Sequence, residues 1–326
     1  MRRLFLITIA ATLLATPIAH SDVDETRATL RSLVLKLVNR DRALYHLPPV
    51  DLDIHASTAG DDYCRAQIRN GTTGHYTTDG LAPYTRYSMT GGNDAVSENA
   101  AAWSATYTFN ERALYEMARR SQDAMMAEAP PADGHKRTML DPHATHVGIG
   151  LAWENGEFRL VQEFVRRYID WTRPLPREAH LGQAIVLAGR PHAGTTVEGV
   201  TVHHEALPQP MSAVTASAIS TYTLPEKRRE YVPRIRRGQG PMTVAQRDDF
   251  SINADGAFSF AVPFADGPGL YTVVVWVRKD GETTPFSASN VSVRVTEAVS
   301  GTERAAWTTG KTQGGARAAT AAPVRH

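Results

Sequence analysis

Two strand candidates on either side of an Asn-Gly pair constrain the fold of this chain more than any other feature. Residues 147–153 and 158–165 both have strand character, and the tetrapeptide Glu-Asn-Gly-Glu at 154–157 separates them. Asn and Gly tolerate the positive φ angles that a tight hairpin turn requires at both central positions. The pattern therefore predicts a β-hairpin in this part of the chain.

Helical patterns come before the hairpin. Apolar residues recur at helical spacing over 26–46, a second helix is expected over about 51–71, and a third is expected after Asn110, a good N-cap. Residues 72–108 contain many glycines and are expected to form loops. Helices that precede a hairpin favour an α+β or layered α/β/α domain over a βαβ fold.

From about residue 172 the pattern changes to short strands separated by turn residues. Six segments have strand character: 184–187, 195–203, 250–253, 257–262, 271–278 and 290–296. Such punctuated strands predict an all-β sandwich of immunoglobulin-like or fibronectin-like type over 179–297. Residues 172–178 are the expected linker, and the polar tail 298–326 is expected to be disordered.

The first 21 residues have the features of a secretory signal peptide. Arg2 and Arg3 precede an apolar run over 4–15, and the small residues Ala19 and Ser21 occupy the −3 and −1 positions of a cleavage site. The apolar run is short for a transmembrane span, and no stable membrane span is expected. These features predict a secreted or periplasmic protein whose first domain covers 22–171.

The single cysteine and the balanced charge limit the remaining possibilities. Cys64 has no partner for an internal disulfide, so the fold must be stabilised by ordinary core burial, and a buried structural thiol is expected. The net charge of +1 indicates no strongly polyanionic partner, so no nucleic acid is expected to bind.

Several short segments of the first half could carry chemistry. In chain order they are Gly-His at 74–75, Glu-Asn at 98–99, Met-Met-Ala-Glu at 125–128, Gly-His-Lys-Arg at 134–137 and Val-Gly-Ile-Gly at 147–150. Their order and spacing resemble the CAP superfamily, the group of cysteine-rich secretory, antigen 5 and pathogenesis-related 1 proteins, in its bacterial form with an SCP domain. The resemblance covers about residues 28–168 and implies a three-layer α-β-α sandwich with a central cleft.

The same resemblance implies that two histidines and two glutamates face each other in the cleft. His75 and His135 match the histidines, and Glu98 matches the glutamate of the Glu-Asn pair. Glu128 is the candidate for the second glutamate, but the aromatic residue that the family has three positions earlier is a methionine here, and bacterial members often have a serine near this place. Arg86 is expected to pair with an acid and order the loop.

Two imidazoles and two carboxylates allow different arrangements. They can bind zinc together, with His75 and His135 as the expected metal ligands, or the carboxylates can hold the imidazoles from behind. A third possibility is a hydrogen-bonded polar cluster that fixes the loops. The His-Glu-x-x-His motif of zinc proteases is absent, and no catalytic residue is assigned.

Three functions fit this pattern. The first is a secreted binding module whose partner is a small amphipathic ligand, a glycan or a protein. The second is a metal-dependent extracellular hydrolase of peptides or cell-wall material, with Glu98 as general base. The third is a structural or adhesive protein of the envelope. A shared fold does not fix activity, so the resemblance alone gives no reason to expect enzymatic turnover. Binding is therefore favoured.

Overall fold

The computed structural model describes residues 18–233 and 250–297. Most of the expected signal peptide and all of the expected disordered tail 298–326 lie outside the described residues. The helices are α1 (Ile18–Leu44), α2 (Ile54–Asn70), α3 (Pro83–Met89), α4 (Glu111–Met126), α5 (Gly134–Met139) and α6 (Ala213–Ala218). None of these helices is long and apolar enough to cross a bilayer.

The strands fall into two groups along the chain. Those of the first half are β1 (Asp51–Leu52), β2 (Ala95–Ser104), β3 (His146–Glu154) and β4 (Glu157–Arg166). Those of the second half are β5 (Ile169–Arg173), β6 (Glu178–His180), β7 (Ala184–Pro191), β8 (Thr195–Glu205), β9 (Lys227–Tyr231), β10 (Phe250–Ile252), β11 (Phe258–Pro263), β12 (Gly269–Lys279) and β13 (Phe286–Thr296).

Local signals set the ends of α2 and α4. The side chain of Asp53 accepts a hydrogen bond from the backbone N–H of Ala56 at 2.9 Å, which caps the start of α2. Gly71, at φ 63°, ends the same helix in the left-handed conformation. Asn110 caps α4 in the same way as Asp53 caps α2. The second and third predicted helices are therefore confirmed.

The first half is built on a four-stranded sheet with the strand order β1-β3-β4-β2. The predicted hairpin is confirmed as β3 and β4, and Asn155 and Gly156 both have positive φ at its turn. Side chains of β4 alternate between the two faces. Phe158, Leu160 and Phe164 join the core beneath α1 and α4, whereas Val161 packs against α2.

The Val-Gly-Ile-Gly segment allows α2 to lie very close to β3. A Cβ atom on Gly150 would lie 2.3 Å from the backbone carbon of Gly60 in α2. A Cβ atom on Gly148 would lie 2.4 Å from the Cβ of Ala56. Both glycines are therefore required by close packing of helix on sheet. Cys64, also on α2, is fully buried, and burial raises the pKa of its thiol, as expected of a structural cysteine.

The second half contains two packed β-sheets. Their strand orders are β10-β11-β7-β5 and β6-β13-β12-β8-β9. One hydrophobic core joins them, with Leu187 and Phe260 from the first sheet and Val273 and Val291 from the second. All six expected segments coincide with strands, so a β-rich second half is confirmed, but it also contains the short helix α6. The immunoglobulin-like or fibronectin-like topology stays a prediction.

Some elements differ from the sequence-based expectation. The segment 72–108, expected to be loops, contains α3 and the ten-residue strand β2. Strand β5 begins at Ile169, before the boundary expected at 172, and it pairs with β7 of the second half. Parts of the expected linker 172–178 are therefore strand. Helix α1 begins at Ile18, ahead of the expected cleavage position, but its first buried residue among those described is Leu30.

The two halves are in direct contact along the edge of β2. The side-chain amide of Asn290 accepts a hydrogen bond from the N–H of Val96 at 3.2 Å and donates one to its carbonyl oxygen at 3.3 Å. The chain between β8 and β9, here called the β8–β9 connection (residues 206–226), also reaches the first half. The backbone N–H of Met211 donates to the carbonyl oxygen of Thr78 at 2.7 Å.

Candidate functional site

The first histidine and the first glutamate predicted for the cleft form a buried pair. His75 lies in the loop after α2, and Glu98 lies on β2. The Nδ1 atom of His75 is 2.9 Å from Oε1 of Glu98. The histidine is 6% exposed and the glutamate 2%. A carboxylate at this position accepts a hydrogen bond from the N–H group of Nδ1. The neutral imidazole then has its lone pair on Nε2.

Arg86 completes this pair from α3. Its guanidinium donates to Oε2 of Glu98 at 2.5 Å and to the backbone oxygen of His75 at 2.5 Å. The same group lies 3.5 Å from the ring centroid of Tyr63. Burial opposes the charged form of Arg86, but Glu98 outweighs this and raises the pKa of the arginine. Both oxygens of Glu98 are thus engaged by protein groups.

The second histidine and the second glutamate form a similar pair on the other side. His135 is the second residue of helix α5, and Glu128 follows the end of α4. Oε1 of Glu128 is in hydrogen-bond contact with Nδ1 of His135, and Oε2 accepts from the backbone N–H of the same residue at 2.9 Å. The His135 side chain is 33% exposed. Glu128 therefore lies where the resemblance places a second acid, despite the methionine at 125.

Asn99, the residue after Glu98, ties β2 to the second pair. Its side-chain amide donates to the backbone oxygen of His135 at 3.0 Å. Because consecutive residues of a strand point to opposite faces, Glu98 and Asn99 hold the two histidine segments from opposite faces of β2. The Glu-Asn motif thereby fixes both histidines relative to one strand.

The two imidazoles line one open cleft with a volume of about 870 Å³. Their ring centroids are 6.3 Å apart. Within the parts of the chain that the structure describes, neither Nε2 atom forms a hydrogen bond, so both remain able to bind a ligand in the cleft.

Imidazole is a common zinc ligand, but the two rings as they lie are too far apart for both to bind one zinc ion. Imidazoles sharing a tetrahedral zinc ion would have ring centroids roughly 5 Å apart, so the two rings need to approach by about 1 Å. The carboxylates already bind Nδ1, and no group of three or more His, Cys, Asp or Glu side chains in 18–233 and 250–297 is arranged to hold a metal ion. Of the arrangements that the sequence allows, the geometry favours carboxylates that hold the imidazoles from behind.

Sequence reasoning missed Tyr222, which belongs to the β8–β9 connection. Its hydroxyl accepts a hydrogen bond from the N–H of Glu98 at 2.5 Å, and its ring centroid is 4.9 Å from that of His75. Burial, with the nearby charge of Glu98, raises the pKa of this tyrosine. Residues 205–249 have no clear sequence pattern, so no signal pointed to it.

Sequence reasoning also missed Glu163, a buried acid next to Glu98. Glu163 on β4 is the direct cross-strand partner of Glu98 on β2. It is 1% exposed, and within the described residues its Oε2 atom has no hydrogen-bond partner. Burial and then the charge of Glu98 raise the pKa of Glu163 to about 8. It lies in a strand that also contains Arg159 and Gln162, so the sequence pattern gave no reason to select it.

A family model matches the part of the chain that contains the cleft. The model of the cysteine-rich secretory protein family, CAP, matches residues 35–164. This range contains both histidines, both glutamates of the two pairs and Arg86. No curated protein matches the chain.

Solved structures overlap with the chain only in part. An extracellular protein with an SCP domain from Bacillus anthracis str. Ames is 18% identical, with a TM-score of 0.31, over 41% of this chain and 39% of that one. A chain from a structure on T cell activation by the bacterial superantigen toxic shock syndrome toxin-1 is 13% identical, with a TM-score of 0.22, over 40% of this chain and 98% of that one. A superoxide reductase from Ignicoccus hospitalis is 7% identical, with a TM-score of 0.22, over 40% of this chain and 81% of its own. Overlaps with such low TM-scores carry no functional argument.

Proposed function

This chain is a CAP-domain protein, and from that premise we propose that it is a secreted binding protein whose cleft binds its ligand through His75 and His135. The observation that carries the proposal is the pairing of each Nδ1 atom with a glutamate. This pairing orients both rings and leaves both Nε2 atoms in one cleft.

We also propose zinc as an ion that this cleft binds. The two Nε2 atoms would hold it, and the remaining positions would be filled by water or by the ligand. A bound zinc ion supplies a Lewis acid that attracts an oxygen or nitrogen donor. Glu98 and Glu128 orient the two imidazoles, and Arg86 holds Glu98 in place.

The occupied carboxylates favour binding over hydrolysis. A general base needs an oxygen atom within hydrogen-bond reach of the attacking water. Glu98 uses one oxygen for His75 and the other for Arg86, and Glu128 uses both for His135. Hydrolysis with Glu98 as the general base would therefore require a buried ion pair to break first.

Secretion is supported by the N-terminal sequence. The basic residues, the apolar run and the small residues before position 22 are typical of a cleaved signal peptide. Cleavage there would remove the first residues of α1, and the buried part of that helix, which begins at Leu30, would remain. Screening of small amphipathic molecules, glycans and proteins against the purified chain identifies the class of ligand.

Zinc titration of the purified protein tests the cleft. We expect about one zinc ion per chain, and we expect the His75→Ala plus His135→Ala double variant to lose it. A matched control is the His55→Ala plus His180→Ala variant, which removes two exposed histidines outside the cleft. The control should bind zinc as the unmodified chain does.

Circular dichroism and thermal unfolding of the same samples separate binding from folding. A double variant that stays folded and no longer binds zinc supports the proposal. If neither the unmodified chain nor the variant binds zinc, the metal part of the proposal is wrong. If the double variant unfolds and zinc never bound, the four residues act as a stabilising polar cluster instead.

A further inference from the structure

We propose that the second domain takes part in ligand binding, because the β8–β9 connection forms one wall of the cleft and Tyr222 determines how far a ligand reaches His75. This inference rests on the proposed binding function of the cleft. It adds a specificity-determining residue from outside the CAP domain.

The β8–β9 connection is held firmly against the first domain. In addition to the bond from Met211 to Thr78, the N–H of Thr73 donates to the hydroxyl of Ser217 at 3.0 Å. The hydroxyl of Tyr84 donates to the carbonyl oxygen of Thr223 at 3.2 Å. These contacts lie on both sides of Tyr222 along the chain, so they fix its position from both directions.

The contact surface is closely fitted to the loop that carries His75. A Cβ atom on Gly74 would lie 3.6 Å from the carbonyl oxygen of Ile219. A Cβ atom on Gly80 would lie 3.0 Å from the side chain of Pro208. Ordinary side chains at both glycines would therefore meet the β8–β9 connection.

Ser220, Thr221 and Tyr222 line the same cleft as the two histidines. The first two bring hydroxyl groups, which donate and accept hydrogen bonds. The third brings an aromatic ring with its hydroxyl already bound to the backbone of Glu98. A ligand that binds Nε2 of His75 must therefore pass this wall.

The two histidines consequently differ in access. The side chain of His75 is 8% exposed, and that of His135 is 33% exposed. The ring of Tyr222 packs edge-on against His75, with an angle of 66° between the ring planes. Tyr222 thus shields His75 and leaves His135 open. The size of the side chain at position 222 therefore determines how accessible His75 is from the cleft.

Chemical modification of the full chain tests this inference without any ligand. Diethyl pyrocarbonate acylates accessible imidazole nitrogens, and mass spectrometry gives the rate for each histidine. In the unmodified chain His135 should react about fourfold faster than His75, the ratio of their exposed fractions of 33% and 8%. In the Tyr222→Ala variant His75 should approach the rate of His135.

Two further variants serve as controls. Tyr222→Phe keeps the ring, so the rate of His75 should stay near that of the unmodified chain. Tyr84→Phe removes a hydrogen bond to the same connection without changing the cleft wall, and it should leave both rates unchanged. An unchanged rate for His75 in Tyr222→Ala overturns the inference, as does equal reactivity of both histidines in the unmodified chain.

A zinc titration of the same variants keeps the two proposals distinct. The modification rate of His75 shows if Tyr222 controls access to that histidine, and this result does not depend on zinc binding. Zinc binding decides the proposed function, whatever the modification rates are. If zinc binds, Tyr222→Ala should change its association rate, and Tyr84→Phe should not.

Discussion

Glu163 and Glu98 are directly paired across β4 and β2, and both carboxyl groups are buried under the cleft. Burial and the charge of Glu98 raise the pKa of Glu163, and they outweigh the charge of Arg86, which lowers it and which also bonds to Glu98. Because the pKa of Glu163 rises to about 8 from an ordinary 4.5, the folded protein holds a proton here that the unfolded chain releases.

The first prediction follows from this proton. Between about pH 4.5 and pH 8 the folded state binds the proton and the unfolded state does not, so the free energy of unfolding falls as pH rises. The slope from this one group is at most about 1.4 kcal/mol per pH unit. Glu163→Gln removes this pH dependence. The free energy of unfolding of the variant, compared with that of the unmodified chain, should therefore increase from pH 5 to pH 8.

Urea denaturation at several pH values measures this difference. Glu154→Gln, at an exposed end of β3, is the control and should follow the pH profile of the unmodified chain. A Glu163→Gln variant whose relative stability stays constant over this range would show that Glu163 is ionised in the folded protein.

The second prediction concerns the contact between α2 and β3. Gly150→Ala forces a Cβ atom against the backbone of Gly60, so the helix and the sheet must separate. Overpacking of this kind costs ~1–3 kcal/mol, and the lack of a movable side chain at Gly60 places the expected loss at the upper end. Thermal unfolding measures it. Gly134→Ala is the control, because nothing lies within 4 Å of its Cβ position.

The third prediction concerns Arg42, a fully buried cation on α1. Its guanidinium donates to the backbone oxygens of Pro48, Met139, Asp141 and Ala144. Arg42→Met keeps the apolar stem of the side chain but removes these donors. Each buried carbonyl left unpaired costs about 1–3 kcal/mol, so the total loss should reach at least ~3 kcal/mol.

Chemical denaturation of Arg42→Met measures this loss. Arg65→Met changes an arginine of α2 whose side chain is 42% exposed and pairs with Asp62, and it should lose less than ~1 kcal/mol. Equal effects of the two substitutions would contradict the structural role of Arg42.

The fourth prediction concerns the contact of Asn290 with β2. Asn290→Ala leaves the N–H and the carbonyl oxygen of Val96 without these partners, at a position that is 3% exposed. We expect a loss of ~1–3 kcal/mol. Hydrogen exchange should show faster exchange at the Val96 amide and no change at amides of the β3–β4 hairpin. Asn70→Ala, at the exposed end of α2, is the control.

Local sequence signals predicted the parts of the fold that local chemistry fixes. The turn at Asn155 and Gly156, the cap at Asp53 and the end at Gly71 each depend on residues within one turn of the chain. Strand β2 was missed because its sequence, with four alanines and an asparagine, has little intrinsic strand preference. Its pairing with β4 over ten positions stabilises the strand conformation that its own sequence favours only weakly.

The candidate site was predictable only where a family pattern exists. His75, Glu98 and His135 were selected by their resemblance to a known order of motifs, and the structure brings them together. Tyr222 stands 124 residues from Glu98 in the chain, and no pattern marks a contact at that distance. Glu163 was missed because a strand of mixed polar and apolar residues does not show in its sequence which of its acids is buried.

The cap that Asn290 and Tyr222 place on β2 also affects how the protein behaves in concentrated solution. An open strand edge offers unpaired N–H and C=O groups to other chains and promotes polymerisation. Here two side chains engage those groups at Val96 and Glu98 without presenting a new edge of their own. A fragment cut after the first domain would expose this edge, so truncation should produce insoluble material even where each half can fold.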